Sequence, residues 1–464
     1  MSPRLTLPQL TLALGPAAAG MLLGLLLGLD ILPWPAAVTA AVTVWCAIWW
    51  LTEPVPIPVT SLLPMAVFPL LGVITPTQVA QSYGSPLILL LLGGFMLSGA
   101  LAKSGAHRRL ALVMIHASAR LGQKGLVLGF MLAAAGLSMW ISNTATTLML
   151  LPVALAVLEN DRLKPLTIPL LLGTAYAASL GGTGTPIGTP PNLIYMQVSQ
   201  DQFGAATSFP IWMSFGLPVV VLFLPIMFFW LTRQVTSQPL PELEKPGVWR
   251  VAEVRVLVVF AITALAWMTR AAPWGGWQAW LDLPLANDAS VAMLAVVVLC
   301  MLPNGDRERP GRLLDWDTIS RIPWGVLILF AGGITIARAF IETGLSDVLA
   351  TQLTQLSSLP TWLMILVLCL GVTFLTEVTS NTATTALLMP VLAATSLATD
   401  IPHELLMVPA ALSASCAFML PVATAPNAVI YGSGRVTVKD MMKEGLVLNL
   451  IGALIITGVM LLRF

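Results

Sequence analysis

The sequence predicts an all-α polytopic membrane protein with about eleven transmembrane helices and two re-entrant hairpins, arranged as two inverted repeats. Three observations predict it. Of 464 residues, 57% are hydrophobic and only 9% are charged, which is outside the range of soluble globular domains. The apolar residues gather in many runs of about 18 or more, long enough to cross a bilayer as a helix. The tract Ser142-Asn143-Thr144-Ala145-Thr146-Thr147 recurs as Ser380-Asn381-Thr382-Ala383-Thr384-Thr385, each time as a polar break within a long apolar segment.

Leu10–Leu32 follows a single Arg and is not followed by a small-residue cleavage site. Residues 1–35 therefore read as a retained first span, not a signal peptide. The first repeat, 36–232, opens with spans Ala36–Leu51, Pro58–Val73 and Pro86–Ala102. His107–Ile115 is basic on one side and apolar on the other, which suits the membrane interface. Gly125–Ile141 and Asn143–Leu158 are each about 16 residues, short for a crossing, and their charges stand only at the outer ends (Lys124; Glu159, Asp161, Arg162 and Lys164). With a polar tip between them they read as a hairpin, 125–158, that enters and leaves on one side. Leu166–Leu180 begins a broken helix, 166–200, interrupted from Gly181 to Asn192. Such a break is tolerated at membrane depth only where backbone lines a cavity in the protein. Phe209–Leu231 closes the repeat, and 233–250 is a polar cytoplasmic linker carrying Pro239, Pro241 and Pro246.

The second repeat, 251–464, has spans Val251–Met268, Ala289–Leu302 and Trp324–Phe340, and an interfacial piece at Leu345–Leu356. A second hairpin, 363–397, has arms Leu363–Thr379 and Asn381–Leu397. A second broken helix, 405–434, is interrupted from Pro421 to Asn427, and Leu446–Leu462 ends the chain. The repeats agree in order. Gly93-Gly94 and Gly105 match Gly332-Gly333 and Gly344 at a shift of 239, the tips match at 238, and Pro191-Asn192 matches Pro426-Asn427 at 235. This is internal duplication. With a cytoplasmic N-terminus, all of the 22 Lys and Arg except Arg270, Arg338 and Arg463 fall on the cytoplasmic side, as the positive-inside rule requires. Five crossings per repeat is an odd number, so the second copy is inverted. Inverted repeats with helices broken at the midplane are the architecture of secondary transporters.

The tips and breaks suggest what is bound. The helices that start at Asn143 and Asn381, and those after Pro190-Pro191 and Pro426, aim N-termini at the midplane. Free amides and the positive dipole end there suit an anion. Two symmetric donor sets fit a substrate with two anionic ends. The preceding helices end at the same places and leave carbonyls free. Ser138 and Ser142 match Thr376 and Ser380, and hydroxyl, amide and backbone oxygens are hard ligands suited to Na⁺. No Lys or Arg lies in the hairpin arms or broken helices, so co-bound cations, one per repeat, would compensate a dianion. Cations and anion then reinforce each other's binding. One Ser-Asn-Thr alone reads as interhelical hydrogen bonding; the aligned pair favours a shared site.

Other features read more plainly. Glu377, the one acid within a hairpin arm, is a functional candidate or a structural hydrogen-bonding group; its repeat mate is Met139. Glu53 reads as a helix-end cap beside Trp49 and Trp50. Cys46, Cys300, Cys369 and Cys416 lie in apolar spans without metal spacing and read as core residues. His107, His116 and His403 read as solvated surface residues, and Trp274, Trp277 and Trp280 as an interfacial belt. Gly181-Gly182-Thr183-Gly184 lacks the Lys of a nucleotide loop. An intramembrane enzyme would need a nucleophile–base pair or core metal ligands, and a primary pump would need a nucleotide domain. The basic residues form no patch for nucleic acid.

With its paired Ser-Asn-Thr tips, Thr52-Glu53-Pro54-Val55-Pro56, Gly93-Gly94-Phe95-Met96-Leu97 and both Pro-Asn breaks, the chain resembles the divalent anion/sodium symporter family of dicarboxylate, citrate and sulfate carriers over nearly its whole length. The resemblance implies two or more Na⁺ sites, near Ser138, Ser142, Asn143 and Gly188, and near Thr376, Thr379, Asn381 and Ala423. It implies substrate at Asn143, Thr144, Asn381, Thr382, Thr189, Thr424 and Ala425. It also implies a homodimer in the bilayer, in a bacterial inner membrane, working by an elevator-type alternating-access mechanism on a small di- or tricarboxylate such as succinate, malate, fumarate or citrate. Two positions depart: Ala425 stands where members often carry Pro, and Thr379 where a small Ala is common. A sodium-independent dicarboxylate exchanger and a carrier of sulfate or another divalent anion are the alternatives on the same scaffold.

Overall fold

The structure is a computed structural model that describes residues 7–235, 247–271, 275–346, 348, 360–399 and 401–464, without the side chains of 7–10, 161 and 162. Most of the expected linker, Trp274, and most of the expected interfacial piece at Leu345–Leu356 lie outside the described residues. The described elements are helical, and among the described residues nine helices are long and apolar enough to cross a membrane. Four shorter apolar helical stretches stand among the described residues: Ile57–Leu70, which is in two pieces, Asn143–Leu158, Asp288–Met301 and Thr361–Thr376.

One expected span is divided. Pro58–Val73 contains a helical turn Ile57–Thr60 and a separate helix Leu63–Leu70, with Pro58 and Pro64 in their first turns. The cause is local: Pro64 has no amide to donate, and its ring would collide with the carbonyl four residues back.

In the first repeat, a leading arm Gly122–Ser138 and a trailing arm Asn143–Leu158 meet at the turn Met139–Ser142. In the second, the arms are Thr361–Thr376 and Asn381–Thr399. At 1.5 Å per residue, three of the four arms reach about 24–26 Å, less than the ~30 Å hydrocarbon core. Each hairpin is followed by a broken helix: Thr167–Gly181 and Pro190–Phe203, then His403–Ser413 and Ala425–Gly432. A closing helix ends each repeat, Phe209–Leu231 and Val438–Arg463.

Small residues set the close approaches. A Cβ on Gly181 would lie 2.3 Å from the Ala135 carbonyl oxygen, which seats the broken helix on the leading arm. A Cβ on Gly93 would lie 2.6 Å from that of Ala292, and one on Gly332 would lie 2.5 Å from the Ser61 carbonyl oxygen. Small residues that let backbones approach are the usual packing device between helices in lipid. The repeats also interlock. The first trailing arm packs on Ala425–Gly432, and the second trailing arm packs on Pro190–Phe203.

Charges gather at helix ends. Arg109 donates to the buried Glu253 carboxylate at 2.6 Å, and Arg233 holds Glu444 with two bonds of 2.7 and 2.8 Å. Lys103 reaches Asp315 at 2.7 Å. The Lys103 ammonium, with Thr318, holds the Asp315 carboxyl well below the usual carboxylate range. Two histidines correct the expectation of solvated surface. His403 stacks on Phe203 with centroids 4.2 Å apart and pairs with Ser199 at 3.0 Å. His107 shares a 3.0 Å hydrogen bond with the Leu101 carbonyl. In both, a ring nitrogen finds a partner within the protein. Cys46, Cys369 and Cys416 are buried and Cys300 is half-buried.

Candidate functional site

The two tips are built by the same bonds. Ser142 caps its arm by accepting from the Ala145 amide at 3.2 Å, and Ser380 accepts from the Ala383 amide at 3.5 Å. Thr147 donates to the Asn143 carbonyl at 2.9 Å, and Thr385 to the Asn381 carbonyl at 2.7 Å. The Ser138 hydroxyl donates to Asn143 Oδ1 at 2.5 Å, and the Thr376 hydroxyl to Asn381 Oδ1 at 2.6 Å. Each of these last bonds ties the end of one arm to the start of the next, which fixes the Asn side chain in a tight turn. Equivalent bonds at one sequence shift mean that the duplication extends to side-chain geometry.

The breaks are held from within by a second pair of asparagines. Asn192 Nδ2 donates to the carbonyls of Gly182 and Thr185 at 3.0 and 2.7 Å. Asn427 Nδ2 donates to those of Ala417 and Leu420 at 3.1 and 2.9 Å. Both asparagines are fully buried, so these bonds satisfy carbonyls that would otherwise be left unpaired where the helix stops. The first break folds back so closely that a Cβ on Gly188 would lie 2.4 Å from the Gly182 carbonyl oxygen, and one on Gly182 would lie 2.5 Å from Asn143 Oδ1. After the second break, Thr424 caps the next helix by accepting from the Asn427 amide at 3.2 Å. Pro426 stands at the second helical position there, behind Ala425, whereas Pro190 is first in its helix. Neither amide would have had an intrahelical partner, so both placements are tolerated.

Both tips and both breaks line one cavity of about 890 Å³. Asn143, Thr144, Asn381, Thr382, Thr189, Thr424 and Ala425 all border it, as do Ser142, Gly188, Thr379 and Ala423. Ser138 and Thr376 do not. They lie fully buried behind the tips, with their hydroxyls on the tip asparagines. The Thr379 hydroxyl is also turned inward, donating to the Leu375 carbonyl at 2.9 Å and paired with Thr384 at 2.5 Å.

Two charged residues on the cavity wall were not expected there. Arg321 borders it and pairs with Asp317 at 2.7 Å, both side chains about three-quarters exposed. Glu53 also borders it, as the left-handed cap (φ 46°) of Trp34–Thr52. Glu53 is a helix cap as expected, but one that faces the cavity. Both come from connecting segments far from the tips in sequence, and no local pattern marks them as neighbours of the site.

A family model described as citrate transporter (CitMHS) matches residues 47–405. The chain belongs to this family. The sodium-dependent dicarboxylate transporter SdcS of Staphylococcus aureus strain USA300 is 37% identical over 475 aligned residues, covering 95% of this chain and 91% of the relative. SdcS of strain NCTC 8325 gives the same values. The resemblance to the divalent anion/sodium symporters is thereby borne out, and this citrate-transporter family member is an integral membrane transporter and not an enzyme. Among solved structures, the YdaH transporter of Alcanivorax borkumensis superposes with a TM-score of 0.62 at 13% identity, covering 93% of this chain and 99% of that one. MtrF of Neisseria gonorrhoeae superposes with a TM-score of 0.62 at 12% identity, covering 93% and 95%. At such identities the likeness is one of fold alone.

Proposed function

We propose that this family member takes up a dicarboxylate such as succinate, malate or fumarate, coupled to Na⁺ entry. The observation that carries the reading is the convergence of the twin tips on one cavity, supported by the sodium-dependent dicarboxylate transport named for SdcS. Each end of the dianion is received by a tip and the helix N-terminus beside it: Asn143, Thr144 and Thr189 on one side, Asn381, Thr382, Thr424 and Ala425 on the other. Cation ligands come from oxygens of Ser138, Ser142, Asn143 and Gly188, and of Thr376, Thr379, Asn381 and Ala423. Thr379 contributes its carbonyl, since its hydroxyl is engaged within the arm. Two Na⁺ ions, one per half-site, offset the dianion, because among the described residues only Arg321 brings a cation to the cavity wall and it is shared with Asp317.

The hairpins are read as re-entrant, and the repeats as 36–232 and 251–464 in opposite orientation. The protein is read as a homodimer of the bacterial inner membrane with a cytoplasmic N-terminus. In that orientation Glu53 and Arg321 mark the cytoplasmic mouth, so the cavity belongs to an inward-facing state of an elevator cycle.

The test is uptake of labelled succinate into proteoliposomes with and without an inward Na⁺ gradient. Uptake that collapses without Na⁺ supports the reading. Uptake indifferent to Na⁺ but stimulated by internal succinate moves the protein to exchange, and competition by sulfate but not succinate moves it to an oxyanion carrier. A second expectation divides the roles within the site. Thr144→Ala and Thr382→Ala each remove one hydroxyl donor to the anion and are expected to raise succinate KM about tenfold, with a smaller change in Na⁺ dependence. Equal losses in both would contradict that division.

A further inference from the structure

Glu377 sits where the first repeat has no acid, and the structure gives it specific work. It follows the leading arm Thr361–Thr376 as its cap residue and is buried. Its carboxylate accepts from the amides of Met419 and Leu420, both at 2.9 Å, and from Asn449 Nδ2 at 2.7 Å. Asn449, on the closing helix, accepts from the Phe418 amide at 3.2 Å. Three consecutive amides of the second break are thus held by two side chains from two different helices. Gly445, one turn before Asn449, makes the approach possible, since a Cβ there would lie 2.2 Å from the Phe418 carbonyl oxygen.

At the matching places in the first repeat the tie is made with other chemistry. Met139 replaces Glu377, and its carbonyl accepts from the Thr185 hydroxyl. Gly216 presses on the Thr183 carbonyl as Gly445 presses on that of Phe418, and Trp212 Nε1 donates to the same Thr183 carbonyl at 2.9 Å. The first break is therefore fastened through its own side chain and carbonyl, and the second through its amides to a carboxylate.

We propose that Glu377 is a positioning residue of the second half-site. By fixing the amides of 419 and 420, and through Asn449 that of 418, it sets the turn that carries Ala423 and Thr424 into the cavity, and so makes only one of the two half-sites depend on a buried anion. This rests on the reading of Ala423 and Thr424 as ligand-bearing. Three N–H donors converge on the carboxylate, and both oxygens accept. Glu377→Gln keeps the volume but puts an NH₂ donor where one accepting oxygen stood, so at least one break amide faces a donor.

The experiment uses the full chain in proteoliposomes, with succinate uptake measured over a range of Na⁺ concentrations for wild type, Glu377→Gln, Glu377→Asp and Met139→Leu. Wild type alone tests the Na⁺-coupled reading. Glu377→Gln is expected to raise the Na⁺ concentration for half-maximal uptake about tenfold. Glu377→Asp, which retains the carboxylate, should recover part of that, and Met139→Leu should not reproduce the shift. Should Glu377→Gln fail to purify as a folded protein, Asn449→Ser removes neighbouring bonds of the same network and is expected to shift the Na⁺ dependence in the same direction. A lower maximal rate or melting temperature with an unchanged Na⁺ dependence would overturn the proposal. If wild-type uptake proves Na⁺-independent, the symport reading fails by itself; succinate KM then becomes the readout, and a KM unmoved by Glu377→Gln overturns the positioning role.

Discussion

Asn143→Ala and Asn381→Ala are each expected to lower the initial rate of succinate uptake at least about a hundredfold while the purified protein keeps its gel-filtration profile. Each tip asparagine serves two partners at once. Its Oδ1 accepts from the hydroxyl that ends the leading arm, Ser138 or Thr376, and its amide borders the cavity that both tips share. Truncation removes the proposed contact with ion and substrate together, and it leaves a fully buried hydroxyl without that acceptor. At Ser138 such a loss costs about 1–3 kcal/mol locally, too little to unfold a bundle of this size but enough to let the tip relax; the Thr376 hydroxyl keeps the Ala414 carbonyl at 3.1 Å as an acceptor. The measurement is uptake by reconstituted variants at saturating Na⁺, beside their elution profiles. Substantial uptake by either variant would mean that the two tips do not form one site.

Gly188→Ala is expected to abolish Na⁺-dependent uptake and to lower the melting temperature, although it adds a single methyl group. The added Cβ would lie 2.4 Å from the Gly182 carbonyl oxygen, and backbone on both sides leaves no flexible side chain to yield. The same carbonyl is held by Asn192, and Gly182 lies so close to the Asn143 amide that a Cβ there would be 2.5 Å from Oδ1. A displacement at 188 is therefore passed directly to the tip. The matching position in the second repeat is Ala423, where a methyl group already stands. Ala423→Gly is accordingly expected to be far milder, and near-equal effects of the two substitutions would contradict the packing account. Melting curves with and without Na⁺ check both.

The tips and breaks were legible in the sequence because polar residues and prolines inside apolar runs demand a reason, and their recurrence in register excludes accident. The path of Pro58–Val73 was less legible. An apolar run of that length fits a span on hydropathy, and only the placement of Pro64 in a second first turn reveals the division. Arg321 and Glu53 could not be placed at the cavity from sequence, since each reaches it only through the packing of connecting segments. The role of Asn192 and Asn427 was visible as a repeated Pro-Asn pair but not as a clamp, because the carbonyls they hold lie seven and ten residues earlier in a turn of irregular shape. Glu377 was conspicuous from the start. Its partners were not, since backbone amides leave no mark in a sequence.

The exchanged packing of the trailing arms has a mechanical consequence. Each hairpin's second helix packs on the helix that follows the other repeat's break, like two clasped hooks. Pulling the halves apart would tear both grips together and expose amides and hydroxyls to hydrocarbon, each at a cost of several kcal/mol. A clasped core of this kind resists being pried open like a clamshell. The proposed elevator cycle agrees with such a core, since it moves the chamber as one body past the surrounding helices.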